Sequence, residues 1–421
     1  PLCIPNHVGY SSEVDMVFNA GGALPDISWL EAGEVPIASM QNIADPDAPY
    51  AEGNVIVPTT GEFVIVAHGS QLIQENATAY GNNDVFAGMS TTINDAWYSN
   101  GNGADNAATA GHADLPGLFG MITPDPSASP TACGFETVQN APWDWWDNAT
   151  YGAMADGYHG MPAGTMGCVA LLGNPDMSAD KGAAMCDMMD DFFTPRVAAA
   201  LNLVVTPERY LDEIFDEVAV SSNVVYGSNI GIITQAPALE DLHMDIYEPV
   251  GDAATDRRVV ILLHTGSFLP AIVNGQATGD KSDNSIVEMC TRFAKKGYVA
   301  VAVNYRLGWN PISPSEDVRR STLIQAAYRG LQDTKTAVRY LRKSAAEDGN
   351  PYGVGEQFAV GGHGTGGYLS LSMATLNDYE SELLLPKFID TSEETIAIYG
   401  QPVPYIMQSM WGNFEATDYG W

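Results

Sequence analysis

The sequence predicts an α/β fold, with a mostly parallel central sheet and helices on both of its faces. Two apolar runs, RRVVILLHTGSF (257–268) and GYVAVAVNYRLGW (297–309), have the length and composition of strands buried on both sides. The segment between them, SIVEMCTRFAKK, has helical spacing. Alternating strands and helices of this kind form parallel sheets with right-handed crossovers.

The rest of the second half continues this alternation. The second half begins near Thr206, and HMDIYEP (243–249) precedes the two apolar runs. Residues 321–344 repeat apolar positions every three or four residues, with basic residues towards the end, which predicts a helix. The stretch EQFAVGGHGTGGYLSLSMATL then predicts a strand, a tight turn and a helix.

The first half has similar elements, separated by longer irregular segments. Strand-like runs occupy 13–24, 35–50 and 62–70, and each closes on Gly, Asp or His. Residues 77–165 are poor in periodicity and rich in Gly, Asn, Asp and Pro, which indicates a long surface excursion with short helices. A helix is predicted over 178–201, opened by Ser178 and with Asp180 in its first turn.

The composition excludes some partners. The 421 residues include 52 Asp and Glu against 18 Lys and Arg, a formal net charge of -34. Such a surface repels nucleic acid and anionic membranes. The chain has no run of 18 apolar residues, so no membrane insertion is expected.

No cofactor or metal site is predicted, with calcium kept as an alternative. The Asp- and Asn-rich loops NGNGADN (100–106) and ADPDAP (44–49) could supply calcium ligands, but neither has the spacing of an EF-hand loop. The density of methionines between 154 and 189 could suit copper(I). The helical spacing of Met185, Met188 and Met189 favours core packing instead.

The five cysteines contain no CxxC pair and therefore no zinc-ribbon spacing. In an exported protein four of them could pair. Cys168 with Cys186 is the preferred disulfide, although connectivity does not follow from sequence.

Several motifs together resemble the carboxylesterase-like branch of the α/β-hydrolase fold, and within it a group of proteins exported by type IX secretion. In the second half these are DIYEP, LLHTGSF, NYRLGWNP and GGHGTGGY. In the first half they are NHVGYSS, NAGGALPDISWLEAG, DPDAPY and VIVPTTGE. The resemblance covers most of the chain and implies an α/β-hydrolase-like sheet and an extracellular or cell-surface location.

The order of the motifs departs from that family, in which the oxyanion-loop strand and the nucleophile turn precede the acid and the histidine. We interpret residues 206–421 as the N-terminal half of the fold and residues 1–205 as its C-terminal half, bearing the acid, the long excursion and the last helix. Together the halves make one domain. The chain is then a circular permutant, one unit of a tandem array, or a subunit completed by a neighbouring copy; the last two would build a polymer.

The resemblance places the nucleophile turn at GGHGTGG, but Gly364 stands where the family has serine. The flanking elbow residues, Gly362, His363, Gly366 and Gly367, fit the pattern. Glycine cannot form an acyl-enzyme. Thr365 is a weak substitute nucleophile, and its hydroxyl is expected to bond locally in the first helical turn instead.

The remaining machinery also departs from the family. The oxyanion loop, His-Gly-Gly-Gly in the family, reads His264, Thr265, Gly266, Ser267. Asp45 occupies the acid position, with capping of a proline turn as the alternative. For the catalytic base, the late position of the family's histidine favours His159 over His112, and both are weak candidates. Another histidine of this half, His68, ends a strand.

The sequence therefore predicts a secreted, non-catalytic protein of this fold with a structural, binding or surface-assembly role, and with copies of itself as its partner. The alternative is a carboxylic-ester hydrolase whose catalytic site is displaced or degraded. The aromatic cluster PWDWWDNATYG (142–152) is either a platform for carbohydrate or another surface ligand, or the small core of a lid.

Overall fold

Strands from both halves of the chain join one eight-stranded sheet. The computed structural model describes residues 4, 6–57, 60–90, 115–121, 140–203, 209–233, 237–407 and 410. The strands are β1 Met16–Ala20, β2 Ala23–Leu24, β3 Ile37–Asn42, β4 Glu52–Ile56, β5 Phe63–Gly69, β6 Leu118–Met121, β7 Val218–Gly231, β8 Ala238–Pro249, β9 Arg257–Leu263, β10 Val299–Val303, β11 Val354–His363, β12 Ile389–Asp390 and β13 Val403–Pro404.

The α-helices lie mainly between these strands. They are α1 Ser70–Ala79, α2 Asn148–His159, α3 Thr165–Ala170, α4 Ala179–Ala200, α5 Asn284–Lys295, α6 Glu316–Glu347, α7 Thr365–Thr375, α8 Tyr379–Glu382 and α9 Glu393–Tyr399. Short 3-10 turns connect several of them.

The large sheet has the order β6-β3-β1-β11-β9-β10-β8-β7. Its pairings are parallel from β6 to β10, and only β8 and β7 run antiparallel to their neighbours. The first half of the chain joins the second through β1 and β11, where Met16 to Ala20 lie opposite Ala359 to His363. A separate three-stranded sheet, β2-β5-β4, lies outside the large sheet.

Side chains alternate between the two faces of the sheet and build one core on each. From β9, Val259, Ile261 and Leu263 pack with α6, α7 and α1 in one cluster, while Val260 and Leu262 pack with α4 and α5 in the other. The predicted α/β fold with helices on both faces of a mostly parallel sheet is therefore confirmed.

The helix signals read from the sequence agree with the structure. α4 begins after Ser178, whose side chain accepts a hydrogen bond from Lys181 N, and Asp180 lies in the first turn. Met185, Met188 and Met189 are buried in the α4–α5 core. α6 begins at Glu316, five residues before the predicted start at 321, because Ser315 caps it.

One expectation from the sequence, a disulfide pairing, is wrong, and another, the irregular excursion, is incomplete. The preferred disulfide is wrong, because Cys168 is disulfide-bonded while Cys186 is a free, buried thiol. The segment predicted as an irregular excursion contributes β6, whose four apolar residues are too few to stand out from their surroundings. The 100–106 loop lies outside the described residues.

None of the helices in the described part of the chain combines the length and hydropathy that a membrane span requires.

Candidate active site and ligand cavity

The turn between β11 and α7 is built by close backbone packing. Gly364 has φ +51° and ψ -117°, a backbone conformation that residues with a side chain adopt only under strain. Its N–H donates to Ala20 O at 2.8 Å, so the turn rests on β1. A Cβ on Gly362 would overlap backbone atoms of Gly366, and a Cβ on Gly366 would overlap Leu263 O. The glycines are therefore required by the approach of helix to sheet.

Thr265 occupies the space that a side chain at position 364 would need. A Cβ built on Gly364 would overlap Thr265 Oγ1 and lie 3.1 Å from Thr265 Cβ. The absence of a side chain at position 364 and the β-branched residue at position 265 therefore fit each other sterically.

The Thr365 hydroxyl is engaged in a hydrogen-bond chain. Tyr305 OH donates to His264 O at 2.8 Å and lies 3.1 Å from Thr365 Oγ1, which leaves the threonine to donate to the phenol oxygen. The His264 ring stacks on Tyr305 with centroids 4.4 Å apart, and burial lowers its pKa to about 4. The Thr365 hydroxyl thus bonds to Tyr305, 60 residues away, and not to the local backbone of the first turn of α7 as the sequence predicted.

The loop after β9 reverses through three consecutive residues with positive φ: Gly266 (118°), Ser267 (54°) and Phe268 (54°). Leu269 N donates to Gly266 O at 2.9 Å, and Trp309 Nε1 donates to Ser267 O at 2.7 Å. The loop that the resemblance assigns to oxyanion binding is therefore present beside the turn and held by hydrogen bonds.

A cavity of about 180 Å³ lies over the turn. Thr265, Ser267, Gly364 and Thr365 form part of its wall, so it borders both the turn and the loop after β9. Most of its lining is apolar; the larger such residues are Trp29, Ile56, Ile65, Phe268, Trp309, Leu323, Ile324, Tyr328, Leu331, Leu376 and Leu383. A lining of this kind suits an apolar molecule.

Asp45 both caps a turn and lines the cavity. Its Oδ1 accepts hydrogen bonds from Asp47 N at 2.8 Å and Ala48 N at 3.0 Å, the geometry of the proline-turn alternative. Burial and the nearby Asp47 carboxylate raise the pKa of Asp45 well above its usual range. Asp47 accepts from Asn140 Nδ2 and is itself exposed, so this end of the cavity is open to solvent.

His159 lies elsewhere. It ends α2, is exposed, and its Nε2 bonds to Ile272 O at 2.7 Å. His68 is near Glu52, and His112 falls outside the described residues. The described lining of the cavity contains no histidine. The structure thus brings Gly364, Thr365, Thr265 and Asp45 to one cavity, and none of the described residues that line it is a histidine.

A buried Asp144–Ser285–His363 chain lies behind the turn, and sequence reasoning missed it. Ser285 Oγ donates to Asp144 Oδ1 at 2.5 Å, and His363 Nδ1 lies 3.3 Å from Ser285 Oγ. Burial raises the pKa of Asp144 to about 6 and lowers that of His363 to about 3, so the imidazole is neutral. Asp144 lines the cavity, but His363 and Ser285 are not among its described lining residues. Any two of these residues are separated by at least 78 positions in the chain, and no sequence motif links them.

The aromatic cluster is divided between cores. Trp143 is 2% exposed and packs in the α4–α5 core, while Trp146 packs against the small α2–α3 cluster. Among the residues that the structure describes, no group of three His, Cys, Asp or Glu side chains is arranged to hold a metal ion.

Asp45→Asn is expected to raise the melting temperature at pH 8 by about 1–3 °C and to change it little at pH 4. A carboxyl with a raised folded-state pKa stabilises the fold at low pH and loses that contribution as pH rises. Asparagine keeps the acceptor for both backbone N–H groups and removes the charge. Thermal unfolding between pH 4 and pH 8 measures the difference.

The control for this experiment is Asp256→Asn, at an aspartate whose side chain is 82% exposed. A gain for Asp45→Asn that is equal at both pH values would contradict an ionised, poorly solvated Asp45.

Comparisons with known proteins found one family model and several similar solved structures. The family model described as BD-FAE matches residues 244–401, less than half of the chain. Similar solved structures include esterase B from Lactobacillus rhamnosis, at 16% identity over 53% of this chain and 55% of that one, with a TM-score of 0.27. A thermophilic esterase from the planctomycete Thermogutta terrifontis has 24% identity over 40% and 47%, with a TM-score of 0.24.

A third is the bacterial brefeldin A esterase, a homologue of human hormone-sensitive lipase, with 16% identity over 55% and 53% and a TM-score of 0.25. The chain thus aligns with about half the length of each of these structures. No curated protein matches it. The BD-FAE match and the mostly parallel sheet with helices on both faces together support an α/β-hydrolase fold for this chain.

Proposed function

We propose that this chain is a non-hydrolytic protein of the esterase fold that binds a small apolar molecule in the cavity over the β11–α7 turn. The observation that carries the proposal is the pairing of Gly364 with Thr265: the nucleophile is absent, and a threonine side chain fills its place. Loss of a triad nucleophile lowers kcat by roughly a millionfold where it has been dissected.

The volume and the walls of the cavity favour binding of a ligand without a reaction. A volume of about 180 Å³ exceeds that of engineered cavities that accept benzene, of about 150 Å³. Its walls come from the three-stranded sheet, α6, α7 and the loop after β9, which are elements of both halves of the chain. A structural protein with no ligand would gain stability by filling such a space.

A carboxylic-ester hydrolase is the second candidate, favoured by the BD-FAE match and by one hydroxyl, that of Thr365, in the cavity wall beside Gly364. Its nucleophile would have to leave the hydrogen bond with Tyr305 and find a base. A displacement of about 1 Å in a reacting group can cost a hundredfold in rate.

Ester hydrolysis separates the two candidates. Incubation with p-nitrophenyl acetate and with a fluorophosphonate probe is expected to give no turnover and no labelled residue. Stoichiometric labelling, located by peptide mass spectrometry and abolished by Thr365→Val, would support the hydrolase and overturn the proposal.

Binding is tested by calorimetry with 1-hexanol, a small molecule with an apolar body. Ala327 lies on α6 and lines the cavity, so Ala327→Phe is expected to weaken binding at least tenfold by filling it. Ala346→Phe, at an exposed position on the same helix, is the matched control. Equal binding by both variants, or none by the wild-type chain, would contradict the proposal.

We also propose that the two halves are permuted. If 206–421 preceded 1–205, the eight strands of the large sheet could be renumbered 1 to 8 along the rearranged chain, from β7 to β6. Their order across the sheet would then read 1-2-4-3-5-6-7-8. Sequential strands are usually neighbours in a sheet, and this rearrangement makes most of them so. A gene encoding the rearranged chain is expected to yield protein with the same far-UV circular dichroism. Extracellular location and self-assembly stay predictions.

A further inference from the structure

The wall of the cavity carries three carboxylates. Asp45, Asp47 and Asp144 line it, and the described lining residues include no lysine, arginine or histidine. The hydrogen bonds these carboxylates accept come from neutral donors: backbone N–H groups for Asp45, Asn140 for Asp47 and Ser285 for Asp144. Asp144 is buried and Asp45 is partly buried, and carboxylates removed from water are costly unless a positive charge accompanies them.

Two aromatic side chains meet these acids, and each has a buried polar atom without a partner. Trp143 is 2% exposed, and its Nε1 has no hydrogen-bond partner among the described residues; the same holds for Tyr368 OH. Both residues line the cavity. A Cβ built on Gly21 would lie 3.4 Å from Asp45 Oδ2 and 3.9 Å from Trp143 Cη2, so acid and indole approach each other beside Gly21.

The Tyr368 ring belongs to the same group. Burial raises its pKa, and the carboxylates of Asp45 and Asp47 raise it further. Aromatic rings attract cations, and the attraction grows when water is excluded. Carboxylates and aromatic rings in one cavity wall provide a suitable environment for an organic ammonium group.

We propose that the ligand of this cavity is a small amine with an apolar body, its ammonium group held at the acidic end by Asp45 and Asp47 and its body against the apolar wall. The inference rests on the proposed binding function and narrows its ligand class. An alcohol of the same length would leave the carboxylates uncompensated, and a carboxylate would be repelled.

Three probes of equal chain length test the charge preference: hexylammonium, 1-hexanol and hexanoate, titrated by calorimetry at pH 8 in about 0.15 M NaCl, where surface attraction is screened. Hexylammonium is expected to bind about tenfold more tightly than hexanol, and hexanoate more weakly than either. In the double variant Asp45→Asn/Asp47→Asn, the preference for the ammonium is expected to disappear while hexanol binding is kept.

The matched control removes two exposed acids instead, Asp212→Asn/Asp256→Asn, and should retain the preference. This control separates the cavity carboxylates from the overall charge of -34. Equal affinity for hexylammonium and hexanol, or equal loss of preference in both double variants, would overturn the inference while leaving the binding function intact. If no probe binds, the proposed function itself fails, and the inference fails with it.

Discussion

Gly366→Ala is expected to destabilise the protein by about 3 kcal/mol or more and to lower its melting temperature by roughly 3–4 °C or more. The added methyl would overlap Leu263 O and lie 2.5 Å from Leu263 C and 2.7 Å from His264 O. These are backbone atoms of β9 and the residue after it, so no side-chain rotation relieves the overlap. Differential scanning calorimetry measures the loss.

Gly157→Ala is the control, because it also places alanine in a helix. No atom lies within 4 Å of a Cβ at position 157 in α2, and the higher helix propensity of alanine should stabilise the protein by up to about 1 kcal/mol. A Gly366→Ala protein as stable as wild type would show that the β11–α7 turn is not held by the backbone contacts described above.

Gly364→Ser, which replaces the missing nucleophile, is expected to give no esterase activity and to destabilise the fold by about 2 kcal/mol. The serine Cβ would overlap the Thr265 hydroxyl. The double variant Thr265→Gly/Gly364→Ser removes that obstruction and is expected to recover most of the lost stability. It should still fail to hydrolyse p-nitrophenyl acetate, because no histidine from the described residues lines the cavity to accept the serine proton.

Gly349→Ser controls for backbone strain alone. Gly349 also has positive φ, at 77°, but nothing lies within 4 Å of a Cβ there. Gly364→Ser should therefore lose more stability than Gly349→Ser, and the excess should vanish in the double variant. Ester hydrolysis by the single Gly364→Ser protein would mean that Thr265 does not block the site.

The sequence predicted the fold class and most of the large elements because their signals are local. The apolar runs of β9 and β10, the Ser178 cap of α4 and the glycines of the β11–α7 turn each act within a few residues of the chain. β6 escaped prediction because four apolar residues among glycines and prolines resemble a loop.

The site was less predictable because its parts meet only in space. Position 364 was recognisable, but the fit of Thr265 into the vacated volume depends on how closely two loops approach. The Asp144–Ser285–His363 chain joins residues from three distant segments, each ordinary in its own context. The cysteine pairing failed for a similar reason: Cys186 faces the α4–α5 core, a direction that spacing in the chain does not reveal.

The hydrogen bond from Gly364 N to Ala20 O has a consequence for how the protein folds. It joins residues 344 positions apart, near opposite ends of the chain, and neighbouring β1–β11 pairs span similar separations. Contacts this distant carry a large loop-closure entropy and tend to form late. The β11–α7 turn is therefore completed only when strands from the two halves of the chain pair. The cavity is then formed only once the whole large sheet is formed.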